Sequence, residues 1–422
     1  MKESTIKPPF IMYKFLTNTQ KPTKNVNGPF KVIKPRIEPM SDENYPNPTS
    51  HVALMPVFVL GQVFALMPLC GITSKRAQDL KFKWFDFRTL HTFLVTIGIF
   101  MMIVTCLKWS LSKITLTEAP GLAQAVWYVR NFLGVLYFVW LAKKWPALMV
   151  YWEKIENSLP SYSNPKRNSN FSRAINIMTF VITFGSIVKH STVIAVFVIR
   201  AQECSNSTEI KYFFKMSWPQ IYSNGYYDGG VCGFLIEFLN CYCVIHTNHM
   251  DLFVMVISMC LSNRFRQLNS HLECYKEKKM SNAFWIEQRR HFTKLSELVA
   301  NVDQLITVMC TFSLTLNLYI ILIELLNCFQ PQRTVFEAIH FWYFLLFKIV
   351  RTFLVFWTAS QINDESQKPA DILRSIPNDG FDCEANRFLE QVVNTKVGLS
   401  GLRFLYFTRS LMLSLRYSTC RL

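Results

Sequence analysis

Apolar blocks alternate with polar stretches along the whole chain, at about 52–72, 89–108, 121–142, 171–199, 231–261, 302–328, 337–361 and 397–415. A helix crosses a bilayer core with about 20 apolar residues, so six of the eight predict full spans. The first block holds Pro56, Gly61, Pro68 and Gly71, which disfavour a straight spanning helix. The last is short and carries Arg403 and Arg409, followed by Arg416. Met1 to Ser50 is polar, lysine-rich and holds eight of the eighteen prolines, which predicts a disordered cytosolic tail without a secretory signal.

Basic residues decide how the spans are oriented. With the amino terminus inside and the first block not spanning, 31 lysines and arginines lie in inside segments and 6 in outside loops. Letting the first block span changes the division to 23 against 14. The positive-inside rule selects the first arrangement. The first block is then re-entrant or interfacial, and six full spans precede the last segment. The acceptor Asn206-Ser207-Thr208 falls in the longest external loop, which makes Asn206 a predicted glycosylation site. The expected fold is all-α: a polytopic membrane protein with an inverted seven-helix topology, amino terminus inside.

Residues 262–301, on the inside, carry a different pattern. Leu261, Phe265, Leu268, Leu272 and Tyr275 form one heptad-like seam, and Phe292, Leu295, Val299, Val302 and Ile306 form another. A helical hairpin extending two spans below the membrane satisfies both. The resulting organisation is a tail (1–50), a re-entrant segment and linker (51–88), and a six-span bundle (89–361) with an external loop (200–230) and the cytosolic helical anchor (262–301). A cytosolic segment (362–396) and an incomplete last helix (397–422) follow.

Composition agrees with the membrane reading. Only 17% of residues are charged, against about 25% in average soluble proteins. The net charge of +17 sits in short loops between apolar blocks, so it reports topology and not nucleic-acid binding. Cys204 and Cys232 flank the external loop and offer a disulfide pair there. No nucleophile motif, zinc-protease motif or phosphate loop occurs, so neither an enzyme nor a cofactor is expected. His246 and His249, three apart, lack a matched third ligand and predict no metal site.

Residues 247–269 resemble the fourth-helix signature of the insect gustatory receptors, specifically their sugar-receptor subfamily. The matching core is Asp251-Leu252-Phe253, Ile257-Ser258, Leu261-Ser262, Arg264-Phe265 and Gln267-Leu268-Asn269. Phe388-Leu389-Glu390-Gln391 resembles the polar segment before that family's last helix. Gly401, Phe404, Phe407, Thr408 and Arg409 resemble its start. The resemblance implies a plasma-membrane taste receptor for sugars in chemosensory neurons. It further implies a ligand-gated, non-selective cation channel assembled as a homo- or hetero-tetramer with other gustatory receptors. It places the ligand pocket in the outer half of each bundle and the pore along the last helix. That family's last helix ends in Thr-Tyr, an apolar run and Gln-Phe, whereas this sequence ends Arg416-Tyr417-Ser418-Thr419-Cys420-Arg421-Leu422. A pore-deficient isoform or auxiliary subunit is therefore the alternative expectation, with a receptor for a non-sugar tastant the third.

A sugar site needs an aromatic face for the ring's C–H side and planar groups for its hydroxyls. Trp127, Trp342 and Tyr343 offer the face; Arg130, Asn131, Glu237 and Asn240 offer hydrogen bonds. Equally open is a structural role, with Arg130 and Lys189 pairing with Glu237 and Glu324. Asp251 lies too deep for an external ligand, and its expected role is structural or gating, partnered by Lys348 or Arg351.

Overall fold

The computed structural model of the chain describes residues 49–112, 119–159, 165–204, 209–222, 228, 230–276, 278, 280–329, 334–376 and 383–410. Ten α-helices occur among them: α1 (Ser50–Val63), α2 (Phe87–Ser112), α3 (Ala119–Ser158), α4 (Pro165–Cys204), α5 (Glu209–Ser217), α6 (Pro219–Tyr222), α7 (Val231–Glu273), α8 (Asn282–Asn327), α9 (Val335–Arg374) and α10 (Cys383–Asn394). Two short antiparallel pairs join Leu69–Cys70 (β1) to Lys81–Phe82 (β2) and Ser400–Gly401 (β3) to Leu405–Tyr406 (β4). Helices α2, α3, α4, α7, α8 and α9 are long and apolar enough to cross a membrane. The chain is a multi-pass membrane protein with a helical bundle fold.

Helix α7 forms the centre because its stretch from Leu252 to Ile257 is apolar on every side, the pattern of a helix surrounded by others. Leu252 to Ile257 are at most 1% exposed. Its small polar residues hydrogen-bond back to their own helix, Ser258 Oγ to Val254 O at 2.7 Å and Thr247 Oγ1 to Cys243 O at 3.1 Å. By contrast α2 and α4 turn Phe93, Phe100, Phe180 and Phe184 outward, the surface that lipid covers.

Helix α1 spans only about 21 Å at 1.5 Å per residue, too little for a bilayer core. It is instead packed into the bundle: Leu54, Val57 and Phe58 are fully buried, and Phe58 meets Trp145 and Phe253 at 5.7 and 6.1 Å. Its ends are pinned by polar contacts. Ser50 N donates to Glu156 at 3.1 Å, and His246 Nε2 lies 2.6 Å from Phe64 O. A Cβ at Gly61 would stand 2.9 Å from His249 Nε2, so this crossing requires glycine.

Helices α7 and α8 hold 43 and 46 residues, or about 65 and 69 Å. Each therefore extends well past a core of about 30 Å. The two heptad seams face one another in this extension, with Phe265 against Phe292 at 5.9 Å. Helix α10 closes over them: Phe388 packs on Phe292 at 5.8 Å and Gln391 donates to Thr293 Oγ1 at 2.9 Å.

The last apolar block differs from a simple helix. Its first part is the β3–β4 hairpin, in which Phe404 N donates to Gly401 O at 3.0 Å around Leu402 and Arg403, both with positive φ. Asp303 on α8 pins the hairpin, accepting from Ser400 N at 2.6 Å and Ser400 Oγ at 2.7 Å. Arg409 follows, 2.5 Å from Asp364. The ending at 416–422 and the acceptor Asn206 lie outside the described residues. So does the Cys204 side chain; Cys232 has no disulfide partner among the described residues.

Candidate functional site

Two helical stripes meet at mid-bundle. Val244, Thr247, Asn248 and Asp251 follow the i, i+3, i+4, i+7 spacing of one face of α7, and Phe344, Phe347, Lys348 and Arg351 repeat it on α9. Between them lies a cavity of about 40 Å³, completed by Trp127 of α3, Lys189 of α4 and Ile320 of α8. Aromatic rings form much of its wall. Lys189 Nζ stands 4.2 Å from the Phe344 ring centroid, Arg351 Cζ 5.7 Å from that of Phe347, and Arg130 Cζ 5.9 Å from that of Trp127. Such cation–π contacts offset part of the cost of burying charge.

Asp251, on the same face of α7 as Asn248, is fully buried. Arg351 Nε lies 2.7 Å from its Oδ2, Asn317 Nδ2 donates to the same oxygen at 2.9 Å, and Ser313 Oγ donates to Oδ1. Arg351 Nη2 in turn donates to Asn317 Oδ1 at 3.3 Å. One carboxylate thus ties α7, α8 and α9 together, and its partner Arg351 also lines the cavity. Lys348 lines the cavity without joining this network through a hydrogen bond. The amide of Asn248 is fixed by its Nδ2 bond to Val244 O at 2.8 Å, which leaves Oδ1 a buried acceptor without a partner among the described residues.

The other residues expected at the site are distributed around it. Trp127 lines the cavity, and Arg130 stacks behind it with Nε and Nη1 buried and unpartnered among the described residues. Asn131 is buried but donates to Trp127 O at 2.9 Å, within its own helix. Glu237 lies higher on α7, with His190 Nε2 3.2 Å away; the expected Arg130–Glu237 pair is replaced by this contact. Asn240 is half-buried one turn below Glu237. Tyr343 donates to Gly185 O at 2.9 Å and stacks on Phe347, which clasps α9 to α4. Trp342 is 59% exposed on the outer surface of α9 and does not reach the cavity. Its indole points away because position 342 sits outside the 344, 347, 348, 351 stripe.

Thr247, Asn248, Phe344 and Phe347 also line the cavity, as do Val244 and Ile320, and residue type singles out none of the six. Membrane depth alone does not separate them from their neighbours. The matching seven-residue stripes on α7 and α9 do so for all but Ile320 of α8, and they are legible once the two helices are paired.

Comparison with known proteins gives this geometry a family. The profile of the family described as Trehalose receptor matches residues 19–419. The chain is 31% identical to Gustatory receptor for sugar taste 64a of Drosophila melanogaster over 389 residues, covering 88% of this chain and 84% of that one. It is 27% identical to Gustatory receptor 5a for trehalose from the same fly over 368 residues, 86% of this chain and 82% of the relative. The solved structure of the insect olfactory receptor OR5 from Machilis hrabei shares the fold, with a TM-score of 0.64 at 11% identity over 87% of this chain and 95% of that one. A family match across nearly the whole length and close sugar-taste relatives lead to one conclusion: the chain belongs to the insect gustatory receptors, in their sugar-receptor subfamily.

Proposed function

We propose that this chain is a sugar-gated, non-selective cation-channel subunit of the plasma membrane of chemosensory neurons. It works as a tetramer with copies of itself or with other gustatory receptors. The observation that carries the ligand assignment is the buried Oδ1 of Asn248, without a partner among the described residues, on a residue that lines an aromatic-walled cavity. A sugar hydroxyl satisfies that acceptor, while the Trp127 and Phe344 rings take the apolar face of the pyranose. A ligand lacking the hydroxyl leaves the acceptor buried and unpaired, which is how such sites discriminate. Arg130 supports the Trp127 ring from behind. Glu237 and Asn240, about 12 to 17 Å further along α7, bind the sugar on its way in, and Tyr343 holds the α4–α9 wall.

The cavity of about 40 Å³ is far below the roughly 300 Å³ at which ligand pockets begin. A sugar therefore selects a conformation in which α7 and α9 stand further apart. That separation loads the Asp251–Arg351 tie. Beyond it the same helices α8 and α9 carry Asp303 and Asp364, which hold the β3–β4 hairpin and Arg409 at the start of the last segment. Ligand energy spent on spreading the outer bundle reaches the last segment through these two carboxylates.

The test is two-electrode recording from cells expressing the chain alone or with other gustatory receptors, under a panel of sugars and alkaloids. Sugar-evoked, weakly selective cation current is expected. Asn248→Ala and Trp127→Ala should each raise the half-maximal sugar concentration about tenfold or more, matching the loss of one buried hydrogen bond or ring face. Responses to alkaloids with none to sugars would overturn the reading.

A further inference from the structure

The mid-bundle site has more buried positive charge than its carboxylates balance. Arg130, Lys348 and Arg351 are 8%, 4% and 2% exposed, and Lys189 joins them from α4. Of these four cations only Arg351 is in ion-pair contact with Asp251 among the described residues. Glu324 attracts Lys189 and Lys348 only over a longer distance, forming no ion pair within 4.0 Å among the described residues. Glu237 faces His190 instead. Lys189 of α4 and Lys348 of α9 line one cavity, with Arg130 stacked on Trp127 nearby, and among the described residues neither lysine has a contacting anion. At membrane depth an uncompensated charge is among the costliest placements a protein can make, so it is paired or it lines a hydrated, functional site.

We infer that this cavity is a binding site for a small monovalent anion, chloride in the absence of other ligands, held between Lys189 and Lys348. Size agrees with the charge. A cavity needs about 10–15 Å³ by this measure to admit one water, and a halide is close to a water in size; 40 Å³ thus seats a halide with a water, or a carboxylate group. The Asn248 Oδ1 acceptor, on α7, calls for a hydroxyl donor and not for the anion. This inference stands apart from the sugar reading, because it concerns the protein with no tastant bound.

The test uses the purified full-length chain in detergent with chloride, bromide, formate or gluconate as the sodium salt at constant ionic strength. The melting temperature in chloride and bromide should exceed that in gluconate by about 2–4 °C, rising saturably with chloride. Formate matching chloride would support the same site and identify a ligand carboxylate as an alternative source of the charge. The Lys189→Met/Lys348→Met double variant should lose the saturable part. If that variant does not accumulate, radiolabelled chloride binding to the unaltered chain, competed by bromide and not by gluconate, serves in its place. Equal melting in all four salts, undiminished anion dependence in the double variant, or label that bromide does not compete would each overturn the inference.

Discussion

Two charged centres lie along α7 and α9, and they handle the same residue types in opposite ways. Toward the α10 end, Glu365 is 5% exposed and accepts from Arg266 at 2.9 Å, Lys368 at 2.8 Å and Asn269 at 3.1 Å. Burial pushes its carboxyl up, yet the bonds from Lys368 and Arg266 prevail and hold it below the ordinary carboxylate range. Its cations reach solvent, at 39% and 54% side-chain exposure. At mid-bundle the arrangement inverts: the Arg351–Asp251 pair is 3% and 0% exposed, and further cations crowd it. The α10-end centre is a clamp whose charges water can still solvate. The mid-bundle centre depends on its partners alone.

Removing a partner should separate the two centres clearly. Asp251→Asn leaves Arg351 buried without its counter-charge, a loss of about 3–5 kcal/mol. The expected result is failure to reach the cell surface, read by surface biotinylation. Pairing it with Arg351→Met should recover expression, since well-packed apolar replacements of buried pairs are often neutral. Surface levels of the single variant equal to the unaltered chain would break the comparison. Ser400→Ala removes a donor from buried Asp303 and should cost about 1–3 kcal/mol; sugar-evoked current should fall more than surface expression does. Glu365→Gln should cost about 1–2 kcal/mol, and Lys368→Ala less than about 1 kcal/mol, both measured by melting in detergent.

The parts of this molecule legible in the sequence are those set by one helix at a time. Block length and basic-residue bias mark the six spans, and Pro56 and Gly61 mark α1 as something other than a span. The seams at 261–275 and 292–306 are visible because a 3–4 spacing needs no knowledge of the partner. Trp127, Arg130, Asp251, Lys348 and Arg351 stand out because charge and indole are rare at such depth. Asn248 and Phe344 do not, since an amide and a phenylalanine in a span are unremarkable until a facing helix is known. Trp342 attracts notice for its type, yet its helical phase sends it outward. The β3–β4 hairpin is hidden for another reason: Leu402 and Arg403 are ordinary helix formers, and bonds from a distant helix, Ser400 N to Asp303 and Leu402 N to Thr307 Oγ1, hold them in the left-handed region.

The smallest effect distinguishes the helical extension from the bundle by pH. His291 is 5% exposed beyond the membrane core, with Glu287 3.9 Å away and Lys294 and Arg290 nearby. Burial lowers it below the ordinary histidine value, the cations adding to this and Glu287 opposing it. His271, across the hairpin, is lowered first by burial and then by His291. Both are therefore neutral in the fold, while an unfolded histidine takes up its proton near pH 6.5. The unfolded chain binds more protons below that point, so the stability present above about pH 6.5 is lost as pH falls toward the lowered folded values. Melting in detergent should drop between about pH 7.5 and about pH 5.5, and His291→Gln should flatten the slope. A variant that keeps the full slope would move the acid sensitivity elsewhere, with His271 the next group to replace.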